Sequence, residues 1–183
     1  MIKFVLLLLL ILPAGSRIDA QEADDFPART EWLEKWENSR KYTLEALQLI
    51  PDSSLMFRPT ADQMSIQEQI QHIAGNVFGL SRRFLDYAPN GFDQEALHEK
   101  LSSDSLSREV LIDLLTDAYA FGAAAVTHLP AERWEEEAPD FFAGAKSRRV
   151  IVYLLQDHAT HHRAQVLIYM RLLGLKPPRY RGW

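Results

Sequence analysis

Four segments of helix length, each with apolar residues three and four apart and each stopped by proline or glycine, limit this chain more than any other feature. The first runs from about Thr30 to Ile50, with Leu33, Trp36, Thr43, Leu44 and Leu47 at helical spacing, and stops before Pro51. The second opens on Ser65-Ile-Gln-Glu68, where the serine oxygen can accept from an early amide while the glutamate reaches back to the cap. It continues to about Tyr87 and breaks at Pro89-Asn90-Gly91. The third, about Leu106 to Leu129, repeats Val110, Leu111, Leu114, Leu115, Ala118, Phe121, Ala125 and Val126 and ends at Pro130. The last spans about Arg148 to Leu173, with Gly174 as its C-terminal cap and Pro177-Pro178 behind it. Phe92 to Ser105 reads as a looser connection with room for one short helical piece, and Glu135-Glu136-Glu137 reads as solvated surface. There is no alternating run long enough for a sheet. The expectation is an all-α fold, a four-helix bundle, whose long second connection allows a topology other than simple up-and-down.

Residues 1–20 stand apart from this pattern. A lysine at position 3, an apolar run from Phe4 to Leu12, a Pro-Ala-Gly break and Ala20 before Gln21 have the layout of a secretory signal peptide. Ile18 is a poor match to the small residue usual at such a cleavage site, and an uncleaved anchor is the alternative. The run is shorter than the roughly 20 residues that cross a bilayer, so no stable membrane span is expected after cleavage. The expected organisation is a signal peptide at 1–20 and one bundle domain at 21–183, with the protein exported to the periplasm or the extracellular space.

Export makes the cysteine count informative. The chain has none, so an exported domain must be held by its core alone, and any metal site must use nitrogen and oxygen ligands. From 20 basic and 25 acidic residues, removal of Lys3, Arg17 and Asp19 leaves 18 and 24, a formal charge of −6. A balance so acidic excludes the basic footprint of a nucleic-acid binder. There is also no phosphate-binding glycine loop and no Gly-x-Ser-x-Gly turn.

The chemistry is concentrated in 157-DHATHHRAQV-166, which holds three of the six histidines. At about 100° per residue, Ile151, Leu154, Leu155, Tyr169, Leu172 and Leu173 fall within about 60° of His158. His158, His162 and Gln165 are thereby expected in the middle of the core stripe, with His161 to one side. Two imidazoles four residues apart on one face can share a metal ion, and the same spacing also occurs in histidines that are merely hydrogen-bonded. A third ligand has to come from another helix. On the second helix Ile66, Ile70, Ile73, Val77, Leu80 and Phe84 form the core stripe, and His72 lies at its margin beside Gln69 and Asn76. That margin suits a residue aimed at an interhelical groove and an exposed histidine equally. His98 in the loose segment and His128 at a helix end read as structural, the latter beside the last carbonyls of its helix.

The opening of the second helix, MSIQEQIQHIAGN, taken with DHATHHRAQVLIYMRLLGLKPP, resembles the DinB-like (DinB/YfiT) superfamily. The Trp32-x-x-x-Trp36 start and the RPTADQMS linker extend the resemblance over almost the whole mature chain. The resemblance implies a four-helix bundle binding a divalent metal ion, here zinc, nickel or manganese, through three histidines: His72, His158 and His162. His161 is then a neighbour and not a ligand. A frequent family motif, H-R-G-Q, stands here as His162-Arg163-Ala164-Gln165, so alanine replaces glycine and the ligands are untouched. Three nitrogens would leave coordination positions open, as in catalytic sites. Gln165 and Asn76, each one turn beyond a ligand, could orient it or bind substrate, and read equally as polar residues flanking a groove.

Characterised members of the family include thiol S-transferases and a maleylpyruvate isomerase, so the resemblance implies a metal-activated thiolate as one mechanism, with hydrolysis by a metal-activated water as the other reading. Export favours hydrolysis, because small thiols are kept reduced mainly in the cytosol. Glu68 is a candidate general base more simply explained as part of the cap. The alternative is a non-catalytic bundle, monomer or homodimer, that binds a metal or small ligand. An enzyme should show the metal position open to an aromatic cleft; a binding module should show it sealed by apolar neighbours. Tyr180 and Trp183 in the tail are candidates for cleft walls or dimer contacts, with packing over the bundle end as the plainer role.

Overall fold

The computed structural model describes residues 26–183; the expected signal peptide, and its cleavage after Ala20, lie outside them. Five α-helices follow in order: α1 Pro27–Gln48, α2 Ile66–Phe84, α3 Gln94–Ser102, α4 Arg108–His128 and α5 Arg148–Leu172. Short 3-10 turns stand at Asp52–Ser54 and Ala131–Arg133. Among the described residues there is no strand, and one isolated bridge pairs Glu137 with Ser147. The short helical piece allowed between the second and third long helices is α3.

Local chemistry sets the ends of these helices. Pro27 occupies the first turn of α1, where its fixed φ and missing N–H cost nothing, so the helix starts three residues before Thr30. The Ser65 capping box forms as read, with Glu68 N–H donating to Ser65 Oγ (3.3 Å) and Ser65 N–H donating to Glu68 Oε2 (2.5 Å). Asp86 takes a left-handed φ of 55°, which ends α2 near Phe84 short of the expected Tyr87. Arg133 (2.8 Å) and Arg148 (2.7 Å) hold its carboxylate there. After α5, Gly174 at φ 74° lets Leu175 N–H reach Met170 O at 2.8 Å and Gly174 N–H reach Arg171 O at 3.0 Å. This closes the helix end with a six-to-one and a five-to-two bond that need the left-handed residue.

The extensive helix contacts are α2 with α4, α2 with α5, α1 with α4 and, less closely, α1 with α5. The bundle therefore runs α1–α4–α2–α5 around its axis, with α1 diagonal to α2 and α4 diagonal to α5. Helix α4 is long and apolar enough to cross a membrane by composition; here Leu111, Leu114, Leu115, Ala118 and Val126 are buried in the core between α1 and α2. Where α1 meets α4, Trp32 and Trp36 stack at 4.8 Å, and Trp36 Nε1 donates to Tyr119 O at 2.9 Å. A Cβ on Gly122 would stand 2.9 Å from Trp36 and 3.0 Å from Val77, so only glycine admits the indole at that depth. The whole stripe predicted on α2, from Ile66 to Phe84, is buried.

Candidate metal centre

Helices α2 and α5 bring His72, His158 and His162 together, although 86 residues separate the first two in sequence. One ring nitrogen from each lies within 4.8 Å of the others. His72 Nε2 and His158 Nε2 are 3.1 Å apart. The His162 ring centroid stands 4.5 Å from that of His72 and 4.4 Å from that of His158. The core face of α5 is wider than expected and turned. Ile151, Val152, Leu155, Gln156, Ala159, His162, Arg163, Val166 and Met170 are all buried, which centres the face roughly 80–90° from His158. His158 and Gln165 are thus on its margin and not in its middle. The helix touches both α1 and α2, and its buried face includes Ala159, Gln156 and Arg163, which a count of large apolar side chains omits. The marginal position puts the imidazoles in the α2–α5 groove.

These rings are held neutral. Burial, with the His162, His72 and His161 charges adding to it, lowers His158 from its ordinary value to about 3. Burial and then the His72 and His161 charges lower His162 to about 4. His72 is lowered by burial and by His161. Neutral imidazoles present lone pairs, which is the state a metal requires. Bonds of about 2.0–2.1 Å at tetrahedral angles place ligand nitrogens roughly 3.3–3.4 Å apart, close to the His72–His158 separation. An all-imidazole set suits zinc or nickel, and the residues present fit a divalent ion.

Sequence reasoning passed over the residue that orients the most buried of the three histidines. His162 Nδ1–H donates to Gln69 Oε1 at 2.5 Å, which fixes the tautomer and leaves Nε2 for the centre. Gln69 Nε2 donates to Gln165 Oε1 (2.8 Å), and Gln165 Nε2 donates to His161 Nε2 (2.8 Å). Gln165 therefore steadies Gln69 and His161 and does not touch His162. The available signal was the i, i+3 spacing of Gln69 and His72 on α2, which puts an amide beside that imidazole on the same face. His158 Nδ1 is buried with no partner, and Asn76 Oδ1 is buried with none either. Asn76 lines the cavity beside His72, and no hydrogen bond joins it to any of the three histidines. His98 is exposed on α3, and His128 Nδ1 lies 2.8 Å from Ala124 O, one turn back.

A cavity of about 380 Å³ opens beside His72, walled by Met64, Glu68, Gln71, Asn76 and Leu101. It is open, as an active site needs, and its wall is polar and aliphatic with no aromatic residue. The arrangement lies between the two expected extremes. Glu68 faces this space, and its carboxyl is lowered by the Ser65 backbone amide and by Arg58 at 3.1 Å. That makes it a fixed carboxylate, as its capping role implies. The tail runs along α1 and does not cover the bundle end: Tyr180 meets Tyr42 edge-on at 6.1 Å, and Arg181 pairs with Glu45 at 2.9 Å. It takes no part in the histidine centre.

Among known proteins, a model of the DinB family matches residues 21–182. The fold is similar to a DinB-like protein of Bacillus cereus, at TM-score 0.68 and 18% identity over 82% of this chain and 96% of that one. It is also similar to YfiT of Bacillus subtilis, described as a probable metal-dependent hydrolase with an unusual four-helix bundle topology (TM-score 0.60, 17% identity, 85% and 93% covered). A mycothiol-dependent maleylpyruvate isomerase matches at TM-score 0.60 and 16% identity over 75% of this chain, which spans 60% of that enzyme. No curated protein sequence matches the chain. At these identities the structural likeness is one of fold.

Proposed function

The chain belongs to the DinB family, and from that premise we propose that His72, His158 and His162 hold a divalent ion, zinc, nickel or manganese, in an exported metal-dependent hydrolase acting on a small molecule. One observation carries the reading: three imidazoles from two helices converge within 4.8 Å, with the most buried of them oriented by Gln69 and the outermost open to a cavity. A bound ion supplies Lewis acidity, lowering the pKa of a water or thiol beside it and polarising a substrate oxygen.

The chain's own residues do the rest. Gln69 keeps the His162 proton on Nδ1, so Nε2 stays available. Burial keeps His158 and His162 neutral well below pH 7. Asn76 lines the cavity, and a turn of its side chain brings the buried, unpartnered Oδ1 toward a substrate N–H or O–H. Glu68, tied to the cap and to Arg58, contributes negative potential to that wall and is not free to carry a proton. Hydrolysis is preferred over thiol S-transfer because an exported protein meets an oxidising compartment. The second reading, a non-catalytic metal- or ligand-binding bundle, draws on Glu68 being so tied, which leaves the cavity beside His72 without a free carboxylate base.

The test is the metal content of protein purified without a histidine tag, beside a His158→Ala/His162→Ala variant. One equivalent per chain in the first and none in the second is expected. No metal in either after zinc, nickel or manganese is offered would overturn the proposal. With metal established, turnover of ester, amide or thiol-transfer substrates decides between enzyme and binding protein.

A further inference from the structure

The opposite face of α5 carries a second polar cluster, in the groove with α1. Arg163 is 8% exposed. Its guanidinium donates to Ser39 Oγ (2.5 Å) and Thr160 Oγ1 (3.1 Å) and lies 5.3 Å from the Tyr42 ring centroid. Among the described residues no carboxylate lies within ion-pair distance of it. A charge withdrawn from water with only hydroxyls and a ring for company is an uncompensated cation. Beside it is a cavity of about 170 Å³ walled by Lys35, Gln156, Arg163 and the tail residues Tyr180, Arg181 and Gly182. Gln156 is 7% exposed, and its Oε1 is buried without a partner.

A second cavity of about 260 Å³ adjoins the first, sharing Lys35, Gln156 and Asp157, and is walled by Trp32, Tyr153 and Trp183. The slot therefore has a cationic end and an aromatic end. Its acidic neighbours are the exposed Asp157 and Glu31, while Glu45 is taken by Arg181.

We propose that this slot, beneath the tail strap between α1 and α5, binds a small monocarboxylate with an apolar or aromatic body. The carboxylate faces Arg163, Ser39 and Thr160, and the body lies between Tyr153, Trp32 and Trp183. Turning the Gln156 amide over lets its oxygen accept from Thr160 and its nitrogen donate to the ligand, and the two orientations are equivalent in shape. The site is separate from the histidine centre, since Arg163 faces α1 while His158 and His162 face α2. It stands whether or not that centre holds a metal.

Trp32 and Trp183 line the slot, so tryptophan fluorescence reads its occupancy. Phenylacetate, acetate and inorganic phosphate are titrated into the full chain at constant ionic strength, with circular dichroism and the melting temperature as checks on folding. Saturable binding of phenylacetate is expected, at least tenfold tighter than acetate or phosphate. Arg163→Gln should weaken it at least tenfold, and Tyr153→Ala should weaken phenylacetate but not acetate. Should Arg163→Gln fail to fold, the exposed tail variant Arg181→Ala carries the same expectation in smaller measure. Absence of saturable phenylacetate binding, or binding indifferent to these substitutions, would overturn the proposal. Phosphate binding as tightly as phenylacetate would overturn the apolar body.

Discussion

At the scale of single residues, the histidine centre depends on one amide that no motif names. Gln69→Leu removes the acceptor for His162 Nδ1–H, and metal affinity should fall roughly 10–100-fold with the helix content unchanged. Gln165→Leu, one bond further out, should cost less; competition with a chromophoric chelator ranks the two. Equal losses would mean that His162 is oriented by something other than Gln69. The rings also set an acid limit on the metal-free protein. Folding takes His158 to about 3 and His162 to about 4 from an unfolded value near 6.5. Between those values the unfolded chain binds more protons than the folded one. The stability that depends on neutral rings is thus complete above about pH 6.5 and is lost as pH falls toward 4. Melting curves from pH 7 to 4 should show this decline, and His158→Gln should flatten it. The histidine pair on α5 was legible from its i, i+4 spacing on one helix face, and His72 was singled out as the third by the family resemblance. Gln69 was not legible, because its i, i+3 spacing from His72 marks only a shared face, and its partner, His162, lies on the neighbouring helix.

At the scale of helices, the periodicity and stop residues were enough to place all four long elements, and the errors have local causes. Asp86 shortened α2 through a left-handed φ that an L-residue's identity does not announce. The orientation of α5 was misjudged because Ala159, Gln156 and Arg163 are buried with the large apolar residues. Close approach of helices is the other property set at this scale. Gly122→Ala would press a methyl into Trp36 and Val77, and overpacking of this kind should cost about 1–3 kcal/mol. Urea denaturation measures it; a change below about 0.5 kcal/mol would show that the stacked indoles have room to shift.

For the whole molecule, α5 is shared between two grooves, one with α2 that carries the histidines and one with α1 that carries Arg163 and the tail. Deleting residues 176–183 should lower the melting temperature by a few degrees through the lost Tyr180–Tyr42 and Arg181–Glu45 contacts. Metal content should not change, and its loss would mean the grooves are coupled. The sequence allowed this ring order without specifying it, since helix periods tell which face is buried and not which neighbour buries it. The order has a consequence for biosynthesis. With α1 diagonal to α2, and α4 diagonal to α5, neither pair forms an early hairpin, and α2 with α4 is the one sequential pair of long helices that packs directly. The proposed centre needs α5, the last helix made, so an ion held there would enter only a finished chain. On the proposed reading of an exported metal protein, the ion would therefore be chosen by the compartment of arrival and not by the one where the chain was translated.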